Sequence, residues 1–312
     1  MQQNRNYSID SLRMYCAVLV VLIHSQFLFK DIVFPLLRIA VPLFFMISGY
    51  FIYDNNAGKR INRSIKSISF IFIWSNLLFL FFKEVLSITH HTIYVPSANE
   101  LLEFIVFNEN PFAWHLWYIG AYLYLLVIVR FVNKYNKWTW LFKSIPVLLI
   151  VHMALSYAGV DRLYYRNFLL MGLPFFSIGA YIRKTNIQNV CTSRSYLCIL
   201  VLAIVSIAEK QFTSLNSEIY VSTVFLSILI FKCFANWKQT KPSIVSWGGK
   251  EYSLGIYIFH GLFVLYFFPT INGHCSILWN RIYNSISPII IFGATLIFVV
   301  TFKKMKLLMF QS

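Results

Sequence analysis

A polytopic, all-helical membrane protein is the fold class this chain predicts, on three observations. Of its 312 residues, 58% are hydrophobic and only 12% charged, about half the charged share of a soluble domain. The apolar residues gather into runs long enough to cross a hydrocarbon core of about 30 Å. The 27 Lys and Arg residues, against 11 acidic ones, crowd the connections on one side, as cytoplasmic loops do. No polar stretch exceeds about 25 residues, so residues 1–312 read as one membrane domain. In a soluble protein the net charge of +16 would suggest nucleic acid. Here it records topology, and the lipid bilayer is the expected partner instead.

Taken in order, the elements follow from these patterns. The opening "MQQNRNYSIDSLR" before an apolar run is similar to a signal peptide, but no small-residue cleavage site follows and it is kept as the first helix. The spans expected are 11–29, 33–53, 68–88, 114–132, 144–160, 166–182, 195–209, 219–236, 251–268 and 286–302. With the N-terminus cytoplasmic, the inner loops and helix ends hold 20 of the 27 cations, from Arg5 and Arg13 through Lys59, Arg60, Arg63, Lys66 and Lys238 to Lys306, leaving seven outside. Ten spans with both termini cytoplasmic follow. The outer loop 89–113 contains "SANELLEF", a Ser-x-x-Glu start that predicts a short interfacial helix. "WGGK" at 247–250 predicts a turn before the ninth span. Pro35, Pro42, Pro146 and Pro174 lie within spans, where freed carbonyls often mark helices bending around a cavity. Cys16, Cys198 and Cys233 fall in spans, Cys191 in a basic loop and Cys275 alone outside, so no disulfide framework is expected.

An imidazole at membrane depth costs free energy unless it faces a bundle interior, which makes His24 the first candidate. It follows Arg13 by eleven residues, a spacing that returns to nearly the same helix face about 16 Å along the axis. Asp10, Arg13 and His24 therefore share one stripe linking a charged inner surface to a buried base. The competing account is a packing histidine with a snorkelling arginine. After the second span, Lys59, Arg60, Arg63 and Lys66 form a basic loop. Arg60 and Arg63, three apart, can point the same way as a fork for phosphate oxygens, although any cytoplasmic loop collects such residues. Beside it lies the Ser48-Gly-aromatic turn. "WHLWYIGAYL" places His115, Trp117 and Tyr118 at the outer interface, either as an aromatic belt or as a surface for a sugar. "EYSLGIYIFHGLF" repeats Ser253, Tyr257 and His260 at helical spacing, suited to hydrogen bonding across helices. His90, His91, His152 and His274 have no companions in the sequence.

All eleven acidic residues fall in loops or near helix ends, whereas ion-coupled transport usually needs a buried carboxylate relay. The chain also lacks a Gly-rich phosphate loop, His/Cys metal spacing and a nucleophile elbow. Base-catalysed transfer from a soluble activated donor remains open, as does a glycan or lipid-linked sugar flippase.

Together, "IDSLRMYCAVLVVLIHS", "VPLFFMISGYFI", Arg60-x-x-Arg63, "HLWYIGAYL" and "YSLGIYIFH" resemble the acyltransferase-3 family of integral membrane O-acyltransferases. That resemblance implies ten core helices in a bacterial cytoplasmic membrane and a stand-alone form without an appended hydrolase-like domain. It further implies transfer of an acetyl group from cytoplasmic acetyl-CoA, a substrate and not a bound cofactor, to a hydroxyl of a surface or lipid-linked glycan such as O-antigen or capsule. By the same resemblance His24 is the catalytic histidine, Arg13 its motif partner, and Arg60 and Arg63, with Lys59 beside them, the donor-side cations.

Overall fold

The computed structural model describes residues 6–54, 56–89, 91–186, 191–213, 217–237, 239–269 and 277–309. Arg5, His90, Lys238, His274, Cys275 and the side chain of Lys306 lie outside the described residues. Among the described residues every element is helical: α1 Tyr7–His24, α2 Lys30–Leu37, α3 Ala40–Ile52, α4 Ala57–Thr89, α5 Ala98–Phe107, α6 Trp117–Lys134, α7 Trp138–Tyr157, α8 Leu173–Thr185, α9 Ser193–Thr213, α10 Val221–Asn236, α11 Ile244–Leu262 and α12 Ile277–Met309. The protein is therefore an all-α, multi-pass membrane protein. Seven described stretches are long and apolar enough to cross a bilayer, against the ten spans expected. Two of the others, α8 and α10, have only 13 and 16 residues.

Burial separates the helices into two shells. In α1, in α2 with α3, and in α6, 56% of the spanning window is buried, but in α9 only 6%. The peripheral helices α4, α7, α9 and α12 turn side chains such as Trp74, Trp140, Leu200 and Ile297 outward, which lipid solvates as well as the core does. The inner helices enclose a large core of fully buried side chains, among them Ile9, Cys16, Phe45, Leu116 and Phe175, and a smaller cluster around Ala17, Val21 and Ile256 lies beside it.

Several local expectations change in three dimensions. α1 ends at His24, not at residue 29, because Ser25 donates its hydroxyl back to Val21 O (2.6 Å) and Gln26 pairs with Ser287 of α12 (2.8 Å from Gln26 N–H to the serine oxygen). His24 thus occupies the last position of the helix instead of mid-span. The expected 33–53 span is broken at Arg38 and Ile39. Pro42 explains the break: it has no N–H for the Arg38 carbonyl, and its ring crowds that same carbonyl. The basic segment 59–66 is not a loop but the opening turns of α4. "WGGK" lies inside α11, where a Cβ on Gly249 would stand 1.8 Å from Asp10 O; the glycine serves close helix contact, not a turn. Cys191 and Cys233 form a disulfide with Cα atoms 5.3 Å apart, because the chain returns the end of α10 to the start of α9. The short helix expected in 89–113 is present as α5, opened by a Ser97/Glu100 capping box. Of the four prolines, Pro146 borders a cavity, an apolar groove of about 600 Å³ between α7 and α10.

Candidate active site

The site is built where the ends of three separate segments meet. α1 delivers His24. A short 3-10 turn, Trp114–Leu116, folds into the bundle ahead of α6 and delivers Trp114 and His115. The last two turns of α11 deliver Tyr257 and His260. The His24 ring lies 4.1 Å from that of Trp114 and stacks on His260 at 5.4 Å and 17°. His115 meets His260 edge-on at 5.0 Å. This approach requires Gly261, where a Cβ would stand 2.1 Å from His115 Cε1.

Backbone carbonyls set the tautomers of two of these rings. His260 Nδ1 faces Tyr257 O at 2.7 Å and Ile256 O at 3.2 Å. Carbonyls only accept, so Nδ1 carries the hydrogen and the neutral ring keeps its lone pair on Nε2. His115 is fixed the other way round, Nε2–H donating to Ile258 O at 3.0 Å and leaving the lone pair on Nδ1. Both of those remaining nitrogens, His260 Nε2 and His115 Nδ1, are buried without a partner. The site therefore offers acceptors awaiting an O–H or N–H donor. Tyr257 donates its phenol to His115 O. Among the described residues no group of three or more His, Cys, Asp or Glu side chains is placed to share a metal ion.

From this cluster a chain of polar and aromatic groups runs back along α1. Tyr257 packs on Tyr118 at 5.3 Å and Tyr118 on Tyr122 at 6.3 Å. Ser48, whose hydroxyl donates to Phe44 O (2.9 Å), interacts with both phenols, and the Arg13 charge reaches both. Arg13 pairs with Asp10 at 3.0 Å and lies over the Phe51 ring at 4.9 Å. Arg60 donates to Phe51 O (2.7 Å) and pairs with Asp54 (2.8 Å). Arg63 and Lys59 are exposed on the same end of α4. The Asp10–Arg13–His24 stripe of the sequence thus lies on the helix beside this chain of contacts, and Arg60 and Arg13 converge on Phe51.

Three expectations are corrected here. His115, Trp117 and Tyr118 do not form an interfacial belt: at 1, 6 and 8% exposure they are interior, because the 3-10 turn carries them inward. Carboxylates are buried after all, Asp10 at 4% and Glu218 at 5% exposure, since each meets an arginine. His152 is not solitary; it is fully buried with its ring 5.1 Å from Tyr165. Ser253 is buried in α11, and His91 is exposed.

Sequence reasoning missed Trp114, Lys30, Arg38, Arg166 and Glu218. Arg38 pairs with Glu218 at 2.8 Å, and Arg166 with Glu109 at 2.6 Å while lying over Trp117 at 5.2 Å. The signal was available for the two arginines: both lie within expected spans, where an ionisable residue is a functional candidate by default. Outside the spans, burial alone would raise the Glu218 carboxyl, but Arg38, Arg166 and Arg162 together hold it below the usual carboxylate range.

An acyltransferase domain family model matches residues 6–303. Among curated proteins, an amino-acid racemase of Enterococcus faecalis is 24% identical over 90% of this chain and 44% of its own length. A serine/alanine racemase of Enterococcus gallinarum is 24% identical over 97% of this chain and 46% of its own. The chain spans under half the length of these relatives. No solved structure matches it.

Proposed function

Because the chain belongs to this acyltransferase domain family, we propose that it is an O-acyltransferase moving an acetyl group from cytoplasmic acetyl-CoA to a hydroxyl of a surface or lipid-linked glycan. The observation that carries this reading is His24 at the end of a chain of polar and aromatic contacts, beside two imidazole lone pairs that lack donors. A polyol is a ligand that brings O–H donors to such a site.

In this scheme the Arg13 end of the bundle is the cytoplasmic mouth of a bacterial inner-membrane protein. Arg60, Arg63 and Lys59 hold the phosphates of the donor, and its thioester arm lies along the Tyr122, Tyr118 and Tyr257 wall toward His24. The acceptor hydroxyl enters from the opposite end, with His260 Nε2 and His115 Nδ1 accepting from neighbouring hydroxyls. His24 takes the proton of the attacking hydroxyl as its oxygen bonds to the thioester carbon. The carbon–sulfur bond then breaks, and the proton passes from His24 to the departing CoA thiolate. General-base help of this kind is worth about 10² to 10⁴ in rate. Asp10 keeps Arg13 in place, and Ser48 and Ser253 line the helices that support the path.

Purified protein with labelled acetyl-CoA and a glycan acceptor should lose about 10² to 10⁴ of its transfer rate on His24→Ala, with an unchanged thermal unfolding profile. Undiminished turnover would remove His24 from the mechanism. The Lys59→Glu, Arg63→Glu double variant should weaken acetyl-CoA binding about tenfold or more while leaving the fold intact, since both residues are exposed. Equal affinity would exclude their role.

The buried Asp10 and Glu218 favour one rival, a glycan or lipid-linked sugar carrier, by supplying carboxylates of the kind ion coupling uses. Release of free CoA that depends on acceptor separates the two: an enzyme produces it and a carrier does not. The racemase names belong to relatives of which this chain spans less than half the length.

A further inference from the structure

Beyond His24, the bundle end carries charges that the acyl transfer described above does not use. Lys30 donates from Nζ to Ser25 O at 2.7 Å, which brings its ammonium to the residue next to His24. Arg38 stands at the break between α2 and α3 with Nη1 2.8 Å from a Glu218 oxygen. Arg166, its side chain 6% exposed, directs Nη2 at both Glu109 oxygens, each 2.6 Å away. The Nε of each guanidinium is buried without an acceptor. Lys30 and Arg38 are near enough to act on the His24 ring, and Arg166 on Tyr257.

These three are among the seven cations that the charge asymmetry leaves on this side of the chain. A purely structural ion network in a low-dielectric setting is expected to close, with its charges matched and its N–H groups engaged. This one leaves the Nε–H of both guanidiniums without an acceptor. In this wall Arg38 meets Glu218 and Arg166 meets Glu109, while Lys30, half-buried, sits beside Asp31 and gives its hydrogen bond to a backbone carbonyl, not to a carboxylate. Asp31, Asp161 and Arg162 are exposed at the rim, and Asp161 accepts from Leu163 N–H. A guanidinium has five donors in a planar fork, so a second oxyanion can use the edge that each carboxylate leaves open.

We propose that this wall binds an anionic group carried by the acceptor, the carboxylate or phosphoryl group of an acidic sugar, gripped by Lys30, Arg38 and Arg166. The substrate class is then an acidic glycan, with a hydroxyl near its charged group falling on His24. This rests on the reading of the His24 end as the acceptor side.

Purified protein is offered methyl glucuronide, glucose 6-phosphate and neutral methyl glucoside, with equilibrium binding and transfer of labelled acetyl measured side by side. At least one acidic sugar should bind about tenfold or more tightly than the neutral one, and the two acidic arms tell carboxylate from phosphoryl. That ratio should fall toward one in Lys30→Met, which breaks no carboxylate pair, and in Arg38→Gln with Glu218→Gln, which removes both charges of a pair together. Equal binding of all three sugars, or a preference that survives Lys30→Met, overturns the proposal. Binding is read without turnover, so acid-selective binding with no acetyl transfer would support this inference and overturn the acyltransferase reading.

Discussion

His260 and His115 illustrate what a single side chain contributes when its neighbours are backbone carbonyls. Each ring spends its one N–H on main-chain oxygen, so each presents a lone pair with no freedom to exchange tautomers. Replacing His260 by phenylalanine keeps the stacking surface against His24 but removes that acceptor. The expected result is a raised acceptor KM with little change in acetyl-CoA affinity, read from initial rates with each substrate varied. Gly261→Ala is a different test at the same spot. The added methyl would collide with His115, whose ring also has the Phe79 ring 4.8 Å away. Overpacking of this kind costs about 1–3 kcal/mol, so thermal unfolding should come earlier and transfer should fall with it.

At the scale of elements, the decisive feature is the break between α2 and α3. Pro42 denies the Arg38 carbonyl its helical partner, and the guanidinium is turned toward Glu218 (2.8 Å) in the segment before α10. Removing one member of a buried pair leaves a charge uncompensated and costs about 3–5 kcal/mol. The pair also sets an acid limit. The folded-state pKa of Glu218 is depressed, so its contribution is complete above the unfolded carboxylate value of about 4.3 and is lost as pH falls through the folded one. Unfolding temperature should therefore hold between neutral pH and about 5 and drop below about 4. In Glu218→Gln the starting stability should be lower and the acid drop shallower, a comparison that calorimetry across pH makes directly. An unchanged acid drop in that variant would show that other carboxylates govern it.

For the molecule as a whole, the orientation of the bundle decides which end meets the donor. In the orientation proposed above, Arg13, Arg60 and Lys304 lie on the cytoplasmic side and His24, Lys30 and α5 on the other. Single cysteines introduced at Lys59 and at Leu102, an exposed α5 residue, in a chain without its five native cysteines, should therefore label oppositely. A membrane-impermeant maleimide applied to intact cells should reach residue 102 but not residue 59. The reverse pattern would exchange donor and acceptor ends.

Hydropathy and charge asymmetry were enough to specify an all-helical membrane protein, the Ser-x-x-Glu start specified the short helix α5, and buried-histidine reasoning named His24 as a candidate. These signals are legible because period, length and sign of charge are properties of a single segment in a bilayer. The three-dimensional packing alone decided that α1 stops at His24, that Trp114 and His115 swing inward, that Asp10 and Glu218 are buried, and that Arg38 and Arg166 pair with Glu218 and Glu109. Each of these depends on a partner far along the chain: Ser287 for Gln26, Ile258 for His115, Gly249 for Asp10, Glu218 for Arg38. A pairwise contact between distant segments leaves no periodicity in either one, and so it exists only once the helices have packed.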